Sequence, residues 1–212
     1  SYMAYSNDNL GTNSVVAQLL AGKVPVLAAS DLYLNEHREY GLSTYSKHSD
    51  GTGVAISSRL RPILNMRPKY RHWLSPSLWQ LNADLHLTDW LEEKNIDFDV
   101  VTDEDLHIEG VDMLNRYRCV LTGSHPEYSS EKMLAAYESY QLNGGRWIYL
   151  GSDGFYWISE YHPDNSNIIE VRKGEAGTRA WTANPGEYNN AFDGKYGGMW
   201  RARGRIPSKV CG

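Results

Sequence analysis

The sequence has few of the residues that build a disulfide-bonded, nucleic-acid-binding or membrane-spanning protein. Its 212 residues include only two cysteines, which give no disulfide framework, so we expect a reducing, cytoplasmic compartment. The net charge is -5 and no dense basic run occurs, which argues against nucleic acid as a partner. No stretch approaches the roughly 20 apolar residues that cross a bilayer, so no membrane partner is expected either.

Phenylalanine is also scarce, and the aromatic residues that replace it carry polar groups. The chain has 3 phenylalanines but 15 tyrosines and 7 tryptophans. Such rings favour half-buried positions where the hydroxyl or indole N–H finds a partner. This bias is typical of loop-rich pockets and subunit interfaces.

The middle of the chain predicts alternating helices and strands. Helices are predicted over residues 77–94 and 104–107, with a third that starts at Ser129 or Ser130 and ends at Gly144 and Gly145. Strands are predicted over residues 96–101, 117–121 and 146–150, and a first strand over residues 1–5 with a partner at 63–66. This order predicts an α/β fold with a mostly parallel sheet.

Long stretches without clear periodicity flank these elements, at residues 6–53 and 173–212. Loops of that length in a compact domain are usually functional or inserted. The chain reaches its last residues in a proline-containing segment at 205–207. We therefore expect one α/β domain over residues 1–212 that is truncated at its C-terminal end.

Oxygen- and nitrogen-bearing side chains follow several predicted strands. Tyr5 ends the first one, and His125 and Glu127 follow the apolar run at residues 119–123. A glycine-rich loop contributes Tyr45 and His48. Side chains beyond the carboxyl ends of strands line the ligand crevice of open α/β sheets. Together they predict a site of hard metal ligands, and the failed Gly-x-Ser-x-Gly pattern at 123–127 argues against a nucleophilic serine.

Each of these motifs has a purely structural alternative. Glu127 lies where a carboxylate favours a helix N-terminus, and the tyrosines can be simple packing residues. His48 and Asp50 can belong to a solvated turn, or act as metal ligands, as an acid–base pair or as supporting groups. The segment 151–154 can be a tight turn or a contact to a substrate carbonyl.

Four segments, in this order, resemble the large-subunit family of N,N-dimethylformamidases. They read Tyr-Met-Ala-Tyr-Ser-Asn at 2–7, Tyr-Ser-Lys-His-Ser-Asp-Gly-Thr-Gly at 45–53, Ser-His-Pro-Glu-Tyr at 124–128 and Gly-Ser-Asp-Gly-Phe-Tyr-Trp at 151–157. The resemblance covers essentially the whole chain. It implies the early and middle part of a glutamine-amidotransferase-like domain, with a flavodoxin-like three-layer sheet and long loop insertions.

The resemblance also implies a mononuclear ferric ion held by two tyrosines and one glutamate. On the matching motifs the ligands are Tyr5, Tyr45 and Glu127, with Tyr40 as the alternative to Tyr45. Four further residues are then expected to be catalytic beside Glu127. They are His48, His125 as an acid–base group, Asp153, which stands where the family has asparagine, and Lys173 as a source of positive charge.

The function implied is hydrolysis of small N-substituted formamides such as N,N-dimethylformamide to formate and an amine. Partners implied are a small (alpha) subunit and further large subunits in a hetero-oligomer. Phe155, Tyr156 and Trp157 are expected to wall an apolar pocket for the N-methyl groups. Two alternatives remain open: a non-catalytic binding module for carbohydrate or a partner subunit, and an iron site built from His48, His125 and Glu127.

Overall fold

The computed structural model describes residues 2–7, 28–71, 78, 80–173 and 186–211. These residues form an α/β protein of short strands and helices. The helices are α1 (Ala29–Glu36), α2 (Leu81–Glu93), α3 (Asp103–Glu109), α4 (Val111–Leu114), α5 (Glu131–Leu142) and α6 (Ser208–Cys211). The strands are β1 (Ile56–Ser58), β2 (Cys119–Leu121), β3 (Tyr128–Ser129), β4 (Arg146–Ile148), β5 (Trp157–Ile158), β6 (Glu160–His162) and β7 (Asn165–Glu170). No helix in these ranges is long and apolar enough to cross a membrane.

The strands form three small sheets within the described residues. Strands β2 and β4 are parallel, and so are β3 and β5, whereas β1, β7 and β6 form an antiparallel sheet in that order. The pair of β2 and β4 is one that the βα pattern predicts, whereas β3 and β5 were not predicted as strands. The antiparallel hairpin of β6 and β7 was not predicted, and a single continuous three-layer sheet stays a prediction.

Helices α3 and α5 lie close to their predicted bounds. Ser130 caps α5 by accepting a hydrogen bond from the Met133 amide, and Thr102 caps α3 in the same way from Asp105. Gly144 follows α5 with a φ of 86°, a conformation that glycine adopts without strain. Helix α2 is shorter than predicted, and the predicted start at Ser77 lies outside the described residues.

The buried core lies between α3, α4 and α5 on one side and β3, β5 and β7 on the other. Tyr128 and Trp157 belong to this core, as do Met133, Leu134 and Ile158 on the elements around them. Because Tyr5 is part of the same cluster, the predicted site lies at the edge of the core and not on an outlying loop.

The predicted first strand is wrong. Tyr2–Ala4 and Leu64–Met66 are short 3-10 helices, and Ser1 lies outside the described residues. The backbone carbonyls that a strand would pair are bound by side chains instead: Arg61 Nη2 donates to Met3 O at 2.9 Å and to Tyr5 O at 2.7 Å. These contacts satisfy the backbone carbonyls as hydrogen-bond acceptors without pairing to another strand.

The strand predicted at residues 96–101 is also absent. No described strand lies beside this segment, and its apolar side chains stay in solvent, with Val100 73% and Ile96 45% exposed. A segment with apolar residues does not form a β-strand by itself, because the hydrogen-bond ladder needs a partner strand.

Buried His107 makes the fold sensitive to acid. Its ring contacts Tyr161 at 4.4 Å, and its Nδ1 lies 2.8 Å from the hydroxyl of Ser130. Burial, helped by the charge of Lys132 and opposed by that of Glu104, lowers the pKa of His107 to about 4. The unfolded chain, with a histidine pKa near 6.5, binds the proton more readily. Stability therefore falls as pH drops from about 6.5 toward 4, by up to about 3 kcal/mol.

Replacing His107 with Gln should remove this part of the pH dependence. We expect the difference in denaturation midpoint between pH 7 and about pH 5 to shrink in His107→Gln. His86 on α2 is exposed, so His86→Gln should keep the wild-type difference. Equal pH dependence in wild type and His107→Gln would contradict this role.

Candidate metal centre

Glu127 is a buried carboxylate in the turn between β2 and β3. Glu127 is only 9% exposed. The Tyr5 hydroxyl donates to its Oε2 at 2.8 Å, and the Trp157 indole N–H donates to its Oε1 at 3.0 Å. The helix-capping interpretation of Glu127 is therefore wrong: Ser130 caps α5, and the carboxylate faces Tyr5.

His125 lies beside this carboxylate, together with Asp153. His125 Nε2 is 3.4 Å from Glu127 Oε2 and 3.6 Å from Asp153 Oδ2, and the Ser152 hydroxyl lies 3.3 Å from Nδ1. One ligand atom from each of His125, Glu127 and Asp153 lies within 4.8 Å of the others. The sequence motifs at 124–128 and 151–157 thus meet.

Two loops in contact bring these motifs together. The amide of Phe155 donates to the Pro126 carbonyl at 2.8 Å, and the amide of Ser152 to the Ser124 carbonyl at 3.2 Å. A Cβ on Gly151 would lie 2.2 Å from Pro126 Cδ, so this position requires glycine. Gly151 allows the two loops to approach closely enough for His125 to reach Asp153.

The charged groups in this cluster shift one another's pKa values. The hydrogen bond with Glu127 raises the pKa of His125 and outweighs burial, which acts in the opposite direction. Burial raises the pKa of Glu127, but the contact with His125, the charge of Lys173 and the Tyr5 hydroxyl together lower it overall. The cluster favours a carboxylate anion beside a protonated imidazole.

Tyr45 stands beside Tyr5, the tyrosine that binds this carboxylate. Their rings are stacked with centroids 5.8 Å apart, and the Tyr5 ring also contacts His125 at 5.9 Å. Thr44 joins the segments that carry them, because its hydroxyl donates to the Ala4 carbonyl at 2.7 Å. Residues 40 positions apart in sequence thus present two phenols to the same site.

Lys173 follows β7 and lies buried against the tyrosines, at 1% exposure. Its Nζ is 3.4 Å from the ring centroid of Tyr45 and donates to the Tyr128 hydroxyl at 2.8 Å. Burial lowers the pKa of Lys173 to about 7, against the attraction of Glu127. Burial thus disfavours the charged form of Lys173, whereas Glu127 and the cation–π contact with Tyr45 favour it.

Other predicted site residues lie elsewhere. Tyr40 is 46% exposed, and its hydroxyl is 3.2 Å from that of Tyr33, so the geometry favours Tyr45 as the second phenol. His48 is exposed in a turn where Asp50 accepts from Thr52, and no described hydrogen bond or ion pair links it to the cluster. The exposure of His48 and Asp50 agrees with the solvated-turn interpretation of these two residues, and a catalytic role for His48 stays a prediction.

The expected aromatic pocket wall is only partly present. Phe155 packs in the core against Tyr137 at 4.9 Å and Trp147 at 6.1 Å, so its assignment to the pocket is wrong. Its positive φ of 50° turns the chain inward at this point. Trp157 does reach the site through Glu127, and Tyr156 stands edge-on to it at 5.1 Å.

Similarity to known proteins agrees with this geometry. A family model described as "N,N-dimethylformamidase beta subunit-like, C-terminal" matches residues 1–212. The chain belongs to this family. The N,N-dimethylformamidase beta subunit of Paracoccus aminophilus is 47% identical over 213 residues, and that of an Alcaligenes species is 46% identical. Each alignment covers 100% of this chain and 28% of the relative, so the chain spans just over a quarter of its dimethylformamidase relatives' length.

The donors at this site fit a hard, highly charged cation. The phenols of Tyr5 and Tyr45 and the carboxylate of Glu127 carry three negative charges when ionised, and none of these donors is sulfur. The Tyr5 proton, shared with Glu127 over 2.8 Å, is the kind of proton that a metal ion replaces. This chemistry suits a ferric ion better than zinc.

Sequence reasoning missed Arg61 and Tyr128, and it expected Trp157 only as part of a pocket wall. Arg61 holds the Tyr5 segment, Trp157 orients Glu127, and Tyr128 lies between Tyr45 and Lys173. Of the two missed residues, Tyr128 carried a signal, because it directly follows Glu127 in the matching motif. The contacts of Arg61 span more than 50 positions, which no local pattern reveals.

Proposed function

We propose that the protein containing this chain hydrolyses small N-substituted formamides of the N,N-dimethylformamide type to formate and an amine. The observation that carries the proposal is that three hard donors from separate segments lie together: the Tyr5 hydroxyl binds buried Glu127 at 2.8 Å, and the ring of Tyr45 stacks on that of Tyr5. The names of the family and of both relatives support the choice of substrate.

Tyr5, Tyr45 and Glu127 would hold one ferric ion. When bound, the ion supplies Lewis acidity, which polarises an amide carbonyl and gives water a hydroxide-like reactivity near neutral pH. Trp157 and its indole N–H keep Glu127 in one orientation. The buried rings of Tyr128 and Trp157 exclude water and so strengthen every electrostatic interaction there.

His125 is the residue that moves the proton. Water adds to the formyl carbon as the C–N bond breaks, and the departing nitrogen needs a proton because an amide anion leaves poorly. Protonated His125 Nε2, held 3.4 Å from Glu127 and 3.6 Å from Asp153, supplies this proton. The proton released by water then restores His125, so atoms and charges balance.

Lys173 contributes positive charge without touching the carboxylate. Its ammonium group faces the ring of Tyr45 and the hydroxyl of Tyr128. In a dry environment this charge stabilises negative charge that develops on the phenols and the carboxylate. The positive charge of Lys173 thereby offsets part of the negative charge of the proposed ligands.

Comparing Tyr45→Phe with Tyr40→Phe in the full-length protein tests this function. A phenolate bound to ferric iron absorbs visible light, so we expect Tyr45→Phe to lose iron, most of this absorbance and the hydrolysis of N,N-dimethylformamide. Tyr40→Phe removes an exposed phenol and should behave as wild type. The readouts are iron per chain, visible absorbance and released formate.

The other outcomes separate the alternatives. Full iron content and activity in Tyr45→Phe would overturn the proposed ligand set and favour histidine and carboxylate ligands. A wild-type protein without iron or formamide hydrolysis would leave only a binding module.

We also propose that the protein works in a hetero-oligomer with a small subunit and further large subunits. The names of both relatives, as beta subunits, support this assembly. Co-expression followed by light scattering should give one particle that contains both subunit types. A monomer of the full-length protein with full activity would contradict the assembly.

A further inference from the structure

Tyr128 joins Tyr45 to Lys173 by hydrogen bonds. Its hydroxyl is 2.6 Å from the Tyr45 hydroxyl and 2.8 Å from Lys173 Nζ. The residue is 1% exposed, and its ring stands edge-on to Tyr5 with centroids 5.4 Å apart. Tyr128 thus contacts both phenols of the proposed ligand set.

Strand pairing fixes the position of this hydroxyl. Tyr128 opens β3 and pairs with Trp157 of β5 in parallel register, and the amide of Trp157 donates to the Glu127 carbonyl at 2.9 Å. The backbone that carries Tyr128 is therefore the same backbone that carries Glu127. This backbone belongs to paired strands and not to a flexible loop, so it holds the Tyr128 hydroxyl in a fixed position.

Lys173 Nζ donates to the Tyr128 oxygen, whereas either hydroxyl can be the donor between Tyr128 and Tyr45. A Tyr45 phenolate that binds a metal has no proton. The hydroxyl proton of Tyr128, 2.6 Å away, would then donate to the Tyr45 oxygen. Hydrogen bonds in such a chain polarise one another, so Lys173 makes Tyr128 a stronger donor.

We propose that Tyr128 is a positioning residue that, backed by Lys173, donates to the Tyr45 oxygen and weakens its electron donation to the metal. The two phenol ligands would therefore differ: Tyr45 receives a donor supported by a cation, whereas Tyr5 faces the carboxylate of Glu127. This inference rests on the proposed function, since it presumes that both phenols are ligands. It assigns a role to a residue that binds neither metal nor substrate.

The test is the visible spectrum of Tyr128→Phe in the full-length, iron-loaded protein. A hydrogen bond to a phenolate oxygen lowers the energy of its electrons, so its loss should make charge transfer to iron easier. We expect the absorption band to shift to longer wavelength while iron per chain stays at the wild-type value. Lys173→Met should shift the band in the same direction by a smaller amount, because the Tyr128 proton remains.

Tyr140→Phe is the matched control. Tyr140 is also buried, at 2% exposure, and its hydroxyl donates to the Tyr117 carbonyl at 3.0 Å, away from the site. Both variants lose one buried hydroxyl, so both should unfold at lower denaturant concentration. Only Tyr128→Phe should shift the absorption band.

Three outcomes would decide against the proposal. An unshifted band in an iron-loaded Tyr128→Phe overturns the role of Tyr128 and leaves the proposed function intact. A shift to shorter wavelength reverses the donor direction and also overturns it. A wild-type protein that binds no iron overturns both the proposed function and this inference.

Discussion

Replacing Glu127 with Gln should remove iron and formamide hydrolysis from the full-length protein. The substitution keeps the size of the side chain and removes its charge, which is one of the three charges that the ferric site needs. It also replaces one acceptor oxygen with an N–H donor, although Tyr5 and Trp157 both donate to this side chain. The glutamine would have to turn a donor toward another donor.

The expected effect is large. Residues that only support a metal ligand change metal affinity by about 10- to 100-fold, so loss of a ligand should exceed about 100-fold. Iron per chain and released formate should fall together. Glu131→Gln is a suitable control, because Glu131 is a surface carboxylate four positions along the chain that pairs with Lys195. Wild-type iron content in Glu127→Gln would show that Glu127 is not a ligand.

Replacing Arg61 with Met should weaken both the fold and the site. The buried guanidinium binds the carbonyls of Met3 and Tyr5, the side chain of Asn7 and the hydroxyl of Ser57. Each buried acceptor left unpaired costs about 1–3 kcal/mol, so the full-length protein should lose about 3 kcal/mol or more of stability. Iron affinity should also fall about 10- to 100-fold, because this residue fixes the segment that carries Tyr5.

Arg59→Met is the matched comparison for Arg61. Arg59 lies two positions earlier, and its side chain is 51% exposed where it pairs with Glu104. Exposed pairs contribute about 0–1 kcal/mol, so this variant should stay near wild type in stability and iron content. Denaturant unfolding and iron titration compare the two variants. Equal behaviour of Arg59→Met and Arg61→Met would contradict the positioning role of Arg61.

The sequence predicted those parts of the fold that depend on local chemistry. Ser130 as a cap, Gly144 after α5 and the paired strands at 119–121 and 146–148 are all signals within a few residues. The first strand was predicted wrongly because its carbonyls bond to Arg61, far along the chain. The segment 96–101 carries apolar residues but has no partner among the described strands.

The candidate site was likewise predictable where its residues lie close to a local sequence signal. The approach of Glu127, His125 and Asp153 was predictable, because each lies just beyond a strand or run that the sequence shows. The resemblance already put Tyr45 ahead of Tyr40, and the structure adds that Tyr45 stacks on Tyr5 whereas Tyr40 is 46% exposed. The difference in burial between Tyr45 and Tyr40 is not encoded by any spacing in the sequence.

The most direct test of the central claim is elemental analysis of the full-length protein, purified without added metal, beside its Tyr5→Phe variant. The account predicts about one iron per chain in wild type and a large loss in Tyr5→Phe, because the phenol that meets Glu127 is a ligand. A catalytically active wild type that carries no stoichiometric iron, or a Tyr5→Phe variant that keeps all of it, would contradict the claim.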